Sequence, residues 1–384
     1  MISIKSFLIL FITILTFTGC GSGESESSAD SSDFATQSDT ADQLLALIPL
    51  CENGPASING QVTDSKTSEG IANVVVSYGS CTASTDSEGY YTLSNVVTSE
   101  RAVLNFSHQG YYRNSSIIQI DHYLEDTTTL SPNYLEYAFD AFDAQSIYNT
   151  QESTIIDATN AATITLSAAE YRTAGGDNYI GDVIAEAAYL NVTTDIDREA
   201  FPGAYEGITS ADSIVPFVSY GAIALELKDN NGNTLDFSGN AILTFPSLGL
   251  SEHNIIPLWF YDYNQGVWIE EGFAELQQDG TYKGEVSHIG TWSLNVPVEN
   301  APGTYLARIV YGDGTPVKDA RVHTIGTNWI RTCLSTDADG MFQIEVIPES
   351  SFQLKAYNYK DKYEAVYDGT IPAIASGEIV EDRM

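Results

Sequence analysis

Five histidines are the only side chains in the sequence with the imidazole chemistry of zinc sites and general bases. His122 has Glu125 three residues later, which is the spacing that places two zinc ligands close together. No His-x-Glu-x-x-His or zinc-finger spacing accompanies this pair. His288 precedes Trp292 by four residues and is predicted to be a polar ring packed on an aromatic hairpin. We therefore expect neither a zinc site nor a catalytic histidine.

Motifs for an activated nucleophile are also missing from the sequence. It contains no Gly-x-Ser-x-Gly, no Ser-x-x-Lys followed by Lys-Thr-Gly, and no phosphate-binding loop. The chain is predicted not to be an enzyme and to have no catalytic residues. The alternative is a hydrolase with an unfamiliar site in the middle of the chain.

Oxygen-rich turns at 229–233 and 195–197 could bind calcium. Ca²⁺ takes six to eight oxygen ligands, and no stretch follows the twelve-residue EF-hand order. Asp and Asn are equally typical of turns in which they bond their own backbone. We expect no cofactor, and calcium remains the alternative.

Aromatic side chains could form a platform for sugars, because exposed rings stack on sugar faces. Core packing and cross-strand pairing compete for the same residues. Trp329 is the candidate ligand contact, and the other candidates are Tyr90, Tyr111, Tyr112, Trp259 and Tyr261. A carbohydrate-binding accessory protein is therefore an alternative function.

The charge of the chain excludes one class of partner. Lys and Arg number 16 against 52 Asp and Glu, for a formal net charge of −36. Such a field repels phosphate backbones. We expect no nucleic acid partner.

The N-terminus indicates a targeting segment. Lys5 precedes the apolar run 7–17, which has the length of a signal-peptide core and is too short to span a bilayer well. Small residues then precede Cys20, and the sequence Phe17-Thr18-Gly19-Cys20 resembles the lipobox of bacterial lipoproteins. The resemblance implies a signal peptide at 1–19, lipidation of Cys20 and a membrane anchor. Because Gly21 is not Asp, it also implies the outer membrane in a cell that has two.

Residues 20–54 follow as a segment of Ser, Asp, Glu and Gly with little apolar content. Such a composition cannot bury enough surface to offset its ordering entropy. We expect a flexible acidic tether.

A turn motif occurs twice, at 85–93 (TDSEGYYTL) and 336–344 (TDADGMFQI). Asp at the second position of each motif and Gly at the fifth are typical of a turn in which the carboxylate accepts backbone N–H bonds and Gly takes a positive φ. An alternating strand follows each turn. Around the second motif, Val317 takes the place of Ile71, and Ala320 that of Val74.

The order of strand, Gly-containing loop, strand and Thr-Asp-x-x-Gly-x-Tyr resembles the carboxypeptidase regulatory-like domain, a transthyretin-like β-sandwich. The resemblance implies one such domain at 55–122 and another at 299–384. The region 123–298 also reads as a series of strands and is predicted to be a larger β-sandwich-type domain. The predicted fold class is all-β, with tandem β-sandwich domains.

Three cysteines remain after Cys20. An exported protein favours a disulfide, and we predict a bridge between Cys51 and Cys81. Cys333 is predicted to be a free thiol that faces the opposite way to Cys81 in its own copy, and a disulfide between the two modules is the alternative. It lies in a loop five residues longer than that of the first copy, since 13 positions separate Thr324 from Asp337 and 8 separate Tyr78 from Asp86.

The expected function is that of a non-catalytic lipoprotein of the cell envelope, acting as a binding, adhesion or scaffold module. Its expected partners are the membrane, through the lipid anchor, and a protein or polysaccharide at the cell surface.

Overall fold

The computed structural model describes most of the chain after residue 53. The described ranges are 54–64, 67, 69–120, 136–139, 143–148, 154–158, 162–167, 170–247, 253–333, 336–358, 363–366 and 369–381. The predicted signal peptide, Cys20, the tether, Cys51, and the His122 and Glu125 pair lie outside them.

The first small sandwich contains the first copy of the turn motif. Its seven strands are β1 (Ala56–Asp64), β2 (Val75–Tyr78), β3 (Cys81–Ser84), β4 (Tyr90–Val96), β5 (Ser99–His108), β6 (Tyr111–Ile120) and β7 (Glu136–Phe139). One sheet has the order β4-β1-β7 and the other β3-β2-β5-β6. Alternation positions the core, because Tyr91 and Leu93 of β4 point inward while their neighbours are exposed.

In the described part of the middle region there are fourteen strands and one short helix. These are β8 (Asp143–Tyr148), β9 (Thr154–Asp157), β10 (Thr163–Leu166), β11 (Tyr171–Thr173), β12 (Asn178–Tyr179), β13 (Asp182–Leu190), α1 (Asp195–Glu199), β14 (Glu206–Ile208), β15 (Ile214–Lys228), β16 (Leu235–Phe237), β17 (Ala241–Phe245), β18 (Ile255–Asp262), β19 (Val267–Leu276), β20 (Tyr282–Val286) and β21 (Thr291–Pro297).

Most of these strands form one long sheet in the order β8-β13-β15-β21-β18-β19-β20-β17-β10-β9, with β14 beside β15 and β19. A three-stranded sheet has the order β12-β11-β16. Buried residues from β10, β13, β15, β17, β18 and β21 pack into one apolar cluster. No helix in the described ranges has the length and hydropathy needed to cross a bilayer.

The second small sandwich has the strand order of the first. Its strands are β22 (Gly303–Arg308), β23 (Arg321–Ile325), β24 (Ile330–Cys333), β25 (Met341–Val346), β26 (Gln353–Asn358), β27 (Tyr363–Val366) and β28 (Ile379–Glu381). The sheets run β25-β22-β28 and β24-β23-β26-β27. Each place matches one in the first sandwich, so the repeat in the sequence is a repeat of topology. The predicted all-β fold class with tandem sandwiches is confirmed.

The boundary expected at residue 122 differs from the pairing in the structure. β7 lies beyond that boundary, yet it pairs in parallel with β1, from Gln61 opposite Glu136 to Asp64 opposite Phe139. The first sandwich therefore includes 136–139. β28 is its counterpart, since it pairs in parallel with β22.

Candidate functional site

In each sandwich, the Asp and Gly of the repeated motif form the turn that precedes the next strand. Oδ1 of Asp86 accepts hydrogen bonds from the amides of Glu88 and Tyr90, each at 2.9 Å. Oδ1 of Asp337 accepts from the amides two and four residues later, at 2.9 and 2.8 Å. Gly89 and Gly340 have φ of +83° and +74°, as the motif predicts. These carboxylates therefore serve the backbone.

The threonine that begins the motif connects its turn to the preceding strand. Thr85 is buried, and its Oγ1 donates to the carbonyl of Ile71 at 2.6 Å and accepts from the amide of Val74 at 2.8 Å. The same contacts recur in the second copy between Thr336, Val317 and Ala320. Because Val317 and Ala320 were aligned with Ile71 and Val74, the contacts agree with that alignment.

The oxygen-rich turns considered for calcium use their carboxylates internally. Oδ1 of Asp229 accepts from the amides of Asn231 and Asn233, each at 2.8 Å. Hydrogen bonds from the side chain and amide of Asn233, and then from Asn231, lower the pKa of Asp229. Asp195 pairs with Arg198, and Asp197 accepts from an amide at 2.7 Å. The described residues contain no group of three or more His, Cys, Asp or Glu that could hold a metal ion.

The aromatic candidates for a sugar platform lie mostly inside the protein. Trp329 is 0% exposed, its Nε1 donates to Oγ of Ser350 at 3.0 Å, and its ring packs 6.1 Å from that of Phe352. The structure therefore does not offer Trp329 to a ligand, which corrects the expectation of a contact there. Of the other candidates, Tyr112, Trp259 and Tyr261 are also buried, and Tyr90 is 36% exposed.

Cys81 and Cys333 are both disulfide-bonded, so the free thiol predicted at Cys333 is wrong. The two also face the same way, because each is 2% exposed and packs in the core of its own sandwich. Cys333 lies opposite Val322, the counterpart of Val76, whose own partner is Ala83. Cys333 thus occupies the place of Ala83, and the longer loop explains the shift. The bridge between Cys51 and Cys81 stays a prediction, since Cys51 lies outside the described ranges. The chain has four cysteines, so that bridge would leave Cys20 as the partner of Cys333 within one chain. The predicted Cys51–Cys81 bridge and the predicted lipidation of Cys20 are therefore alternatives within a single chain.

His288 packs on the aromatic residues that sequence reasoning expected. Its ring lies 4.8 Å from that of Trp292 and meets Phe260 edge-on at 4.4 Å. Nε2 contacts Oε2 of Glu271 at 3.1 Å, and Nδ1 lies 3.3 Å from the carbonyl of Ile289. A general base needs one ring nitrogen free to take a proton from a nucleophile. With both nitrogens facing these oxygens, the geometry is that of a structural histidine.

An open groove of about 690 Å³ lies beside this histidine, between β19 and β20. The two strands pair at Glu275 with Lys283 and at Leu276 with Tyr282, and their pairing goes no further. Gly272 has φ of +88° and lies between Phe273 and Glu270, where the register of β19 shifts against β18. The groove is lined by Asn240, Glu271, Gly272, Phe273, Glu275, Lys283, Gly284, Glu285, Val286, Ser287 and Trp292.

The groove is acidic, since three carboxylates line it against the single cation Lys283. Glu285 accepts a hydrogen bond from Asn240 at its rim, and Glu271 is held by His288. Sequence reasoning did not find these residues. The available signal is the interruption of strand alternation by Gly272 within a glutamate-rich stretch.

Comparisons with known proteins identify no family. No family model matches the chain, and no curated protein matches it. Among solved structures, BcpA, the major pilin subunit of Bacillus cereus, aligns with 10% identity and a TM-score of 0.17, covering 86% of this chain and 98% of that chain. The full-length major pilin SpaD from Corynebacterium diphtheriae aligns with 9% identity and a TM-score of 0.19, covering 86% of this chain and 96% of that chain. The Bacillus anthracis TIE protein aligns with 10% identity and a TM-score of 0.19, covering 86% of this chain and 50% of that chain. Alignments at this similarity carry no argument about function.

Proposed function

We propose that this protein is a lipid-anchored, non-catalytic protein of the cell envelope whose joined β-sandwiches act as a binding or scaffold module. The lipobox-like sequence at Cys20 supports the anchor. Each buried CH₂ of a lipid chain contributes about 0.8 kcal/mol to membrane binding. The main support for a binding or scaffold module is that hydrogen bonds join both small sandwiches to the middle region.

The first sandwich is fastened by the side chains of β5. Arg101 donates to the carbonyls of Gln265 and Gly266 at 3.0 and 2.8 Å, and Asn105 donates to that of Tyr263 at 2.8 Å. Burial lowers the pKa of Arg101, with Tyr261 and Glu206 opposing the shift. If its carbonyl partners moved away, this buried guanidinium would be left without hydrogen bonds, and that loss would cost free energy.

The strand β6 adds contacts to the same side of the middle region. The hydroxyl of Tyr112 donates to the carbonyl of Ala200 at 3.0 Å, and the amide of Gly203 donates to that of Ser115 at 2.9 Å. These contacts bring the first sandwich against the segment between α1 and β14. Both partners in each contact belong to parts of the chain that are far apart in sequence.

The second sandwich is fastened by its longer loop. The amide of Ser219 donates to the carbonyl of Asn328, and Nδ2 of Asn328 donates back to the carbonyl of Ser219, each at 3.0 Å. Arg198 is 6% exposed and donates to the carbonyl of Thr327 at 2.5 Å. One cluster of buried residues then continues from the middle region into the second sandwich.

Neither alternative function gains a supporting contact among the described residues. A hydrolase would need a nucleophile beside His288, whose nitrogens both face other oxygens. A carbohydrate platform would need exposed coplanar rings, and Trp329 is buried. The binding or scaffold module is therefore the preferred proposal.

Two experiments test the proposal. Cells expressing the full chain are labelled with radioactive palmitate, and the label is expected on the native protein and not on Cys20→Ala. Equal labelling of the two would contradict the anchor. The ectodomain is then used for affinity capture from intact cells, where a saturable envelope partner is expected. Turnover of a substrate by the purified protein would contradict the non-catalytic part of the proposal.

A further inference from the structure

We propose that the two small sandwiches dock on the middle region cooperatively, so that loosening one of them loosens the other. The proposed function needs only that each sandwich is joined to the middle region, and this inference goes beyond it. A partner that pulls on one small sandwich would then act on the other one through the structure.

One residue of the first sandwich contacts both other parts of the chain. A Cβ atom added to Gly266 of the middle region would lie 2.8 Å from Cδ1 of Ile117, so this side chain packs closely on the turn that contains Gly266. The carbonyl of Ile117 accepts a hydrogen bond from Nη2 of Arg321, on β23 of the second sandwich, at 3.3 Å. The 204 positions between Ile117 and Arg321 span the whole middle region. The first and second sandwiches therefore contact each other as well as the middle region.

The contacts among the three parts form a closed ring, and this makes them interdependent. Arg321 can reach Ile117 only while both small sandwiches are docked, so its hydrogen bond is lost when either sandwich leaves. When both are docked, donor and acceptor are already positioned, and the bond forms with little further loss of conformational freedom. Because a charged guanidinium is the donor, the bond belongs to the stronger class of hydrogen bonds. Each docked sandwich therefore stabilises the docking of the other.

A carboxylate of the middle region interacts with arginines from both small sandwiches. Oε2 of Glu206 accepts a hydrogen bond from Nη1 of Arg331, on β24, at 2.8 Å. Glu206 also acts on Arg101 of the first sandwich, where burial lowers the pKa and Tyr261 and then Glu206 oppose that shift. Docking of both sandwiches thus brings two guanidinium groups toward one carboxylate. Glu206 offsets the repulsion between them, which would otherwise oppose simultaneous docking.

Two backbone amides report the docking of the two sandwiches separately. The amide of Gly203 donates to the carbonyl of Ser115 and reports the first sandwich, and the amide of Ser219 donates to the carbonyl of Asn328 and reports the second. Hydrogen exchange of the full-length protein in detergent measures both amides in one experiment. Exchange at the strand amides of each sandwich shows in the same data whether that sandwich is still folded.

Gly266→Ala loosens the first sandwich and is expected to speed exchange at Gly203. Because of the coupling, it is also expected to speed exchange at Ser219, by about fivefold or more. Linkage requires the reverse effect as well, so Asn328→Ala is expected to speed exchange at Gly203. Gly232→Ala is the matched control, because its φ of +81° is also positive and no atom lies within 4 Å of the added carbon. It is expected to change neither amide.

Arg321→Met tests the contact that closes the ring, since it keeps a long side chain and removes the donor. When Gly266→Ala is added to this variant, exchange at Gly203 is still expected to be faster. The effect at Ser219 is expected to fall to about twofold or less, as for independent sites. Lys318→Met is the matched control, because it removes a cation of the same sandwich whose side chain is 63% exposed. A full effect at Ser219 in the Arg321→Met protein would contradict the ring as the source of the coupling.

Faster exchange at Gly203 with unchanged exchange at Ser219 would overturn the inference, because the two sandwiches would then dock independently. Tyr112→Phe loosens the first sandwich by another route, since it removes the hydrogen bond to Ala200. If neither Tyr112→Phe nor Gly266→Ala changes exchange at Gly203, the inference is overturned as well, because the ring then does not hold the first sandwich. These outcomes leave the palmitate labelling unaffected, so the anchored module is tested separately.

Discussion

The two small sandwiches share a strand order and a turn, and they differ in how they join the rest of the molecule. In the first, strand side chains such as Arg101 and Asn105 reach a turn of the middle region. In the second, a loop that is longer than its counterpart in the first copy places Asn328 against Ser219. The residues that repeat therefore build the fold of each sandwich. The residues that do not repeat make the contacts between each sandwich and the middle region, which we call the joints.

Trp329 is the side chain particular to the second copy with the most buried surface, and its loss should have the largest effect. Trp329→Ala is expected to destabilise the second sandwich by about 3–5 kcal/mol, because removal of a buried tryptophan leaves a cavity. Denaturant unfolding followed by hydrogen exchange would locate the loss in β22–β28. Trp329→Phe, which keeps most of the ring volume, should lose much less. An unchanged unfolding curve for Trp329→Ala would contradict its place in the core.

Thr85 and Thr336 test the part that the two copies share. Replacement of either by Val keeps the shape and removes a hydroxyl that makes two buried hydrogen bonds, so each is expected to cost about 1–3 kcal/mol in its own sandwich. The two losses should be similar, as measured by exchange of the strands around each turn. A large loss in one copy alone would show that the turns have different roles.

Gly266 tests the joint of the first sandwich. Its φ is +64°, and a Cβ there would lie 2.7 Å from Val103 and 2.8 Å from Ile117. Gly266→Ala is therefore expected to weaken the docking of the first sandwich by about 1–2 kcal/mol or more, with its own strands still folded. Faster proteolysis between the first sandwich and the middle region would report this. Gly232→Ala is the control, because its φ is +81° and no atom lies within 4 Å of the added carbon.

His323 occupies the place of Ser77 and should give the smallest difference between the copies. Burial, with Arg321 and Lys355 next, holds the pKa of His323 well below its usual 6.5. The unfolded chain takes up a proton near that value while the folded ring stays neutral, so the stability contribution is present above pH 6.5 and is lost as the pH falls. His323→Ser is expected to flatten the fall in stability of the second sandwich between about pH 7 and 5. Parallel pH profiles of the variant and the native protein would contradict this.

The repeat could be predicted from the sequence because its signals are local. Thr85, Asp86 and Gly89 lie within five residues and make turn contacts that their types favour. The joints could not be predicted, because their partners are distant: 109 positions separate Asn328 from Ser219, and 164 separate Arg101 from Gln265. For the same reason the pairing of β7 with β1, across the boundary expected at residue 122, could not be predicted, since nothing local to β7 indicates a parallel partner.

The groove escaped prediction for a different reason. Glutamates along a strand are typical of a solvated face, and the concave surface arises only where the pairing of β19 with β20 ends. Trp292 looked like one more core aromatic. Its unpaired N–H is a property of the fold and has no counterpart in the pattern of residues.

Hydrogen exchange at the amide of Ser219 tests most directly whether the loop particular to the second copy makes the joint. That amide donates to the carbonyl of Asn328 in the structure. We expect it to be protected in the full chain and to exchange freely when the loop is shortened to the length found in the first copy, with the strands of the second sandwich still protected. Protection of Ser219 that is unchanged by the shortened loop would contradict the account.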